Sequence, residues 1–125
     1  MIHGIGTDIV AVSRLARLLE RHGRRGTDKI LAPHEQEELA QAREPARFLA
    51  KRWAAKEAFA KALGTGVRPP ALLPAIGVGH DELGKPCFIL GPELQALLDS
   101  RQLTPHLSLS DEAEYAVAYV ILERP

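Results

Sequence analysis

Cysteine occurs once in the 125 residues, at Cys87, so no disulfide can form within the chain and a reducing compartment suits it. An excess of one charge is missing too: 16 basic and 16 acidic residues cancel. The chain is therefore no polyelectrolyte, and any electrostatic recognition must come from a local patch. Aromatic residues make up only 5%, too few to interleave with basic residues as a platform for stacked bases. No apolar run is long enough to cross a bilayer. The opening Met1-Ile2-His3-Gly4-Ile5 lacks the basic start, apolar stretch and cleavage site of a secretion signal. The expectation is a cytoplasmic protein with neither a membrane nor a nucleic acid as partner. Repeats and low-complexity tracts are absent as well. What is present, 46% hydrophobic and 26% charged residues, suits one compact domain over residues 1–125 with a small core.

The pattern predicts α+β: a small, mostly antiparallel sheet packed with a long helix and shorter ones. Ile2 to Val12 reads as a strand interrupted by Gly4, Gly6 and Asp8. Ser13 is the expected N-cap of a first helix through Leu15, Leu18 and Leu19, which Gly23 can end. Pro33 starts a short helix with Glu35, Glu37 and Glu38 near its positive end. A longer helix follows from about Pro45 to Leu63, closed by Gly64, and Thr65 to Pro74 is a Gly- and Pro-rich loop. Ile76–Val78 and Cys87–Leu90 read as strands joined through a Gly84-Lys85-Pro86 turn, Pro92–Ser100 as a helix, and Thr104–Ser110 and Tyr115–Leu122 as closing strands. So small a sheet is expected to leave apolar surface for a partner subunit.

Two carboxylates stand out. At 100° per residue, Leu49, Trp53, Ala60 and Leu63 share an apolar stripe of the long helix; Lys56 falls inside it and Glu57 on its edge, with Lys61 one turn beyond. Burying such groups is costly unless they are paired or bound to an ion. Two readings stand: an internal Lys–Glu ion pair with Lys61 in solvent, or a site for an ion. Asp8 is the only charged side chain between Met1 and Ser13, on the same strand face as Gly4 and Gly6. It can cap a bulge or turn, or serve as a hard oxygen ligand; the glycines would admit a ligand or another backbone. Two carboxylates from different elements suit magnesium, which takes few protein ligands beside phosphates and waters.

Three segments carry a family likeness: Gly4-Ile5-Gly6-Thr7-Asp8-Ile9-Val10, Trp53 through Gly66 with Ala-Ala-Lys-Glu-Ala and Lys-Ala-Leu-Gly-Thr-Gly, and His106-Leu107-Ser108-Leu109-Ser110. In order and spacing they resemble the holo-acyl-carrier-protein synthases, the compact branch of the phosphopantetheinyl transferases. The likeness spans essentially the whole chain and implies that family's fold. It implies a magnesium-dependent enzyme that moves 4′-phosphopantetheine from coenzyme A to a serine of apo acyl carrier protein, releasing 3′,5′-ADP, in fatty-acid or polyketide synthesis.

By the same resemblance, Asp8 and Glu57 hold the magnesium, and Lys61 contacts the phosphates and helps the leaving group depart. The general base stays open between Glu57 and a water on the metal. Gly64, Thr65 and Gly66 offer backbone amides to phosphate, Lys85 and Pro86 lie at the nucleotide, and His106 sits beside coenzyme A. Arg43, Arg47 and Arg52 supply cations for the 3′-phosphate, a task that suits arginine. Arg14, Arg17 and Arg21 flank Leu18 at helical spacing, followed by Arg24 and Arg25; in the family this first helix docks the acidic carrier protein, and from pattern alone it is equally a solvated face. A homotrimer is implied, with Asp8, Glu57 and Lys61 from one chain and arginines from the next. The chain departs from the family's pattern at Asp111, commonly histidine, at Leu83, commonly asparagine, at Ala32, often Ser or Thr, and in Val67 to Ala75, which lacks an aspartate before Ile76. Two alternatives compete: a catalytically silent binding module of the same fold, and a first helix that contacts nucleic acid.

Overall fold

The computed structural model describes all residues from Met1 to Pro125. In chain order the elements are β1 (Ile2–Ala11), α1 (Val12–Asp28), α2 (Pro33–Gln41), α3 (Pro45–Leu63), β2 (Ile76–His80), β3 (Pro86–Leu90), α4 (Pro92–Ser100), β4 (Thr104–Asp111) and β5 (Tyr115–Glu123), with one 3₁₀ turn at Leu73–Ala75 before β2. All strand pairings are antiparallel, and they form two sheets rather than one: β1-β5-β4 and the hairpin β2-β3.

One boundary differs from expectation. β1 runs into α1 without a linker, so the helix opens at Val12 rather than after Ser13. No side chain caps it; instead the Val12 amide donates to the Glu114 carbonyl at 2.8 Å, so the β4–β5 hairpin takes over the cap's task. Gly23 leaves helical geometry (φ 51°, ψ −131°), so the first helical run of α1 ends there as expected and a second run follows it to Asp28. At the end of α3, Gly64 adopts the left-handed conformation expected of it (φ 87°).

The core lies between α3 and the larger sheet. Leu49, Ala54, Ala58, Phe59 and Leu63 of α3 meet Val10, Leu107, Ala116, Ala118, Val120 and Leu122 in one buried cluster. Alanines on α3 let the helix lie close, and Gly4 and Gly6 take this to its limit. A Cβ on Gly4 would stand 2.0 Å from the Ala62 carbonyl oxygen, and one on Gly6 the same distance from that of Ala58. The glycines thus admit a backbone rather than a ligand, one of the two readings of their place beside Asp8.

A buried ion network joins the smaller elements to α3. Glu35 of α2 is fully buried and accepts four hydrogen bonds. The Ala32 amide (2.8 Å) and Lys56 Nζ (2.6 Å) meet Oε1; the Val78 amide (3.1 Å) and an Arg52 Nη (3.1 Å) meet Oε2. The Ala32 bond is half of a capping box, the half that an alanine N-cap still permits. Lys56, also fully buried, donates further to the carbonyls of Leu73 (3.0 Å) and Ile76 (2.8 Å), tying down the segment that enters β2. An internal Lys–Glu pair therefore exists, but Lys56 is joined to Glu35 and not to its neighbour Glu57.

Burial lowers the Lys56 pKa, against the opposing pull of Glu35. Lys56→Met should leave Arg52 as the only cation on the buried Glu35 carboxylate and cost about 1–3 kcal/mol. Urea denaturation at neutral pH measures this. A loss below about 1 kcal/mol would mean that the network is not what holds α2 and β2 to α3.

Candidate active site

The close rest of α3 on β1 places three side chains together. Asp8 lies on the sheet face turned toward α3, since Val10 and Gly6 of the same parity are buried there. From the last turns of α3, Lys61 Nζ donates to Asp8 Oδ1 at 3.2 Å and to the Thr7 carbonyl at 2.9 Å. Lys61 is therefore held against the strand rather than free in solvent. Glu57, one turn earlier, completes the group. Burial raises its pKa most, and the Asp8 carboxylate raises it further, against Lys61 and Arg14, which lower it.

One atom is left out of this arrangement. Asp8 Oδ2 is buried and has no hydrogen-bond partner, which is rare because a buried oxygen without a donor is costly. Two carboxylates that raise each other's energy, one with an unpartnered oxygen, are what a hard divalent cation relieves. Asp8 and Glu57 could hold such an ion between them. No group of three or more His, Cys, Asp or Glu side chains comes together anywhere, so the remaining ligands must be water or substrate oxygens.

Past the end of α3, the Gly64 amide is already used, donating to the carbonyls of Ala60 (3.0 Å) and Lys61 (3.1 Å). The amides of Thr65 and Gly66 make no backbone bond, so these two are the donors left for an anion. Other cations expected near a nucleotide are not all available. Arg52 is 4% exposed and spent on Glu35, Glu38 and the Val78 carbonyl, stacked 4.4 Å from the Phe48 ring. It is a structural residue of this chain rather than a free phosphate ligand. Arg47 braces the β4–β5 hairpin, meeting Asp111 at 3.1 Å, the Ala113 carbonyl at 3.1 Å and the Glu112 carbonyl. Arg43 is exposed and unpaired, and the Lys85 side chain is free at the β2–β3 turn, beside Pro86. His106 stands on the opposite face of the β1-β5-β4 sheet from Asp8, 3.0 Å from Glu123. Within one chain the sheet stands between His106 and Asp8.

On the other flank, Arg14 lies over the Trp53 ring at 5.0 Å, a cation–π contact. A groove of about 590 Å³ runs beside it, with Leu18, Trp53 and Leu73 as its apolar wall and Arg21, Arg25 and Lys29 as its rim. Arg17 is exposed on the same helix, whereas Arg24 is paired with Asp28 at 2.7 Å. Trp53 and Lys29 are functional candidates that the arginine pattern missed. The signal for Trp53 was its place one turn before Glu57 on α3, where a large aromatic at the edge of the stripe reaches α1.

A carboxylate pair with a lysine, set beside a glycine-rich helix end, defines a class: enzymes that handle the phosphate groups of a substrate. Comparison with known proteins narrows it. The sequence model of the 4′-phosphopantetheinyl transferase superfamily matches residues 4–120. The holo-[acyl-carrier-protein] synthase of Dechloromonas aromatica is 63% identical over 123 residues, covering 98% of each chain. A crystal structure of holo-[acyl-carrier-protein] synthase from Neisseria meningitidis superposes with a TM-score of 0.95 at 48% identity, covering 99% of this chain and 100% of that one. The Bacillus anthracis enzyme, solved in complex with CoA (3′,5′-ADP), superposes at 0.85 with 34% identity, covering 100% and 99%. The chain belongs to the holo-[acyl-carrier-protein] synthases of the 4′-phosphopantetheinyl transferase superfamily.

The raised Glu57 pKa has a consequence for stability. The fold favours the neutral acid, so ionising Glu57 costs stability. That cost is absent below the ordinary glutamate range and sets in as pH rises through Glu57's raised value. Glu57→Gln should therefore raise the thermal midpoint of the ligand-free protein at pH 7.5 and leave it near wild type at pH 4. An unchanged or lower midpoint at pH 7.5 would show that the carboxylate carries no such cost.

Proposed function

We propose that this chain transfers the 4′-phosphopantetheine of coenzyme A to a serine of apo acyl carrier protein, using the Asp8–Glu57–Lys61 group. The observation that carries this is the buried, unpartnered Asp8 Oδ2 beside Glu57 and Lys61, in a chain so close to named holo-[acyl-carrier-protein] synthases. Asp8 and Glu57 would hold a magnesium ion, which when bound neutralises the diphosphate and orients it for attack. The protein's own groups do the rest. Lys61 would place a positive charge where the leaving phosphate gains negative charge, and the Thr65 and Gly66 amides, which make no backbone bond, would donate to phosphate oxygens. The serine oxygen bonds to the pantetheine-side phosphorus as the bond to 3′,5′-ADP breaks. The serine proton would pass to Glu57 or to a water on the metal.

The carrier protein is acidic, and the groove along α1 suits it. Arg14, Arg17, Arg21 and Arg25 would meet its carboxylates while an apolar side chain settles against Leu18 and Trp53. Arg43 and Lys85 remain free to meet the nucleotide, with His106 contributed by another copy. The outer face of the β1-β5-β4 sheet supports such an assembly. Ile5 pairs with Ile121 and Ile9 with Val117 in register, and Tyr119 and Tyr115 stand on the same side; Ile5 is 54% and Ile9 64% exposed. An apolar strip of this kind on a sheet face fits a subunit interface, and a homotrimer with sites between copies follows from the family likeness.

Intact-mass measurement of an apo acyl carrier protein, incubated with this chain, coenzyme A and magnesium, tests the reaction. A phosphopantetheine increment should appear. It should vanish with a chelator and fall at least about a hundredfold in rate for Asp8→Ala or Glu57→Ala, the scale of losing transition-state charge stabilisation. No increment with several apo carriers from a folded protein would leave only a silent binding module. Docking is tested separately. Arg21→Glu should raise KM for the carrier about tenfold at low salt, with kcat little changed; an unchanged KM would move the docking surface elsewhere.

A further inference from the structure

Resting on the reading above, we infer that Lys61 makes loading of the divalent cation depend on prior or simultaneous binding of the diphosphate, because its ammonium competes with the cation for Asp8. Lys61 reaches Asp8 Oδ1 and the Thr7 carbonyl with one ammonium, so a positive charge already sits on the carboxylate that the cation needs. The site has little charge to spare. Two carboxylates face it, Lys61 offsets one of them, Arg14 also acts on Glu57, and no third acidic or imidazole side chain joins. Hard cations draw affinity from the count of charged ligands, so the chain alone binds them weakly. Asp8 Oδ2 is the one buried side-chain oxygen left without a partner.

A diphosphate changes both sides of this balance. It supplies oxygens to the cation and a stronger anion for the lysine. Lys61 is able to follow it: the side chain is 56% exposed, its stem is flexible, and it lies in the last turn of α3, next to the free Thr65 and Gly66 amides. When Lys61 moves to the phosphates, Asp8 is released to the cation. Cation and nucleotide then bind with positive coupling, and by linkage each tightens the other by the same factor.

The test uses the full chain with Mn²⁺ as probe, its free concentration read by electron paramagnetic resonance, with and without saturating coenzyme A and no carrier protein. Coenzyme A alone corrects for its own binding of Mn²⁺. Wild type should bind Mn²⁺ weakly and gain about tenfold with coenzyme A. Lys61→Met should bind about tenfold tighter than wild type without nucleotide, and its gain on adding coenzyme A should be smaller. Lys61→Arg, which keeps the charge, should behave like wild type. The inference fails if Lys61→Met binds no tighter than wild type. It also fails if Arg14→Met, which removes a charge felt by Glu57 without touching Asp8, tightens binding equally. Should Mn²⁺ bind neither wild type nor Lys61→Met, even with coenzyme A, the metal reading of Asp8 and Glu57 falls with it.

Discussion

Gly4 and Gly6 leave no side chain between β1 and the carbonyls of Ala62 and Ala58, so α3 rests on the strand backbone to backbone. Any larger residue at either position would push helix and strand apart, because backbone cannot yield as a side-chain tip can. From that contact the rest follows. Asp8 comes next on the same strand face and meets the residues one and two turns before the end of α3. A carboxylate on a strand and a carboxylate and lysine on a helix become neighbours without any loop to hold them. The site therefore inherits the rigidity of the core, which suits a site that must hold charges in fixed places.

α3 carries two lysines with opposite fates, and the contrast separates folding from function. Lys56 faces inward, and the pair it makes with Glu35 has partners for nearly every donor and acceptor. That network is saturated and has nothing left to offer a ligand. Five residues on, Lys61 faces a strand edge where one acid oxygen has no donor and a glutamate is pushed toward its neutral form. The first cluster adds order to the fold; the second holds unresolved electrostatic cost. Such cost persists at sites where a ligand is expected to relieve it.

Most elements were legible because their signals are local. Prolines at the first turn fixed the starts of α2, α3 and α4, and Gly64 fixed the end of α3. What failed was local inference where the solution is tertiary. Ser13 had the chemistry of an N-cap, but the Glu114 carbonyl accepts from the Val12 amide and lets the helix open before Ser13. The site divides in the same way. Asp8, Glu57 and Lys61 could be picked out because charge inside an apolar pattern is conspicuous. Arg47 and Arg52 could not be sorted from Arg43, because their partners Asp111, Glu35 and Glu38 lie far off in sequence. Charge alone does not say whether an arginine is spent or free.

The larger sheet carries this argument beyond one chain. Its strands alternate strictly, with Asp8 on the face toward α3 and Ile5, Ile9, Tyr119 and His106 on the other. An antiparallel sheet can leave one face to water, but this outer face carries exposed Ile5, Ile9 and Tyr119 together, an apolar strip that suits a partner. Closing it against another copy would bury that strip. Period-two alternation thus separates the acid group from the histidine within a chain. The acid group can therefore meet a ligand on one face of the sheet while the apolar strip on the other face meets another surface.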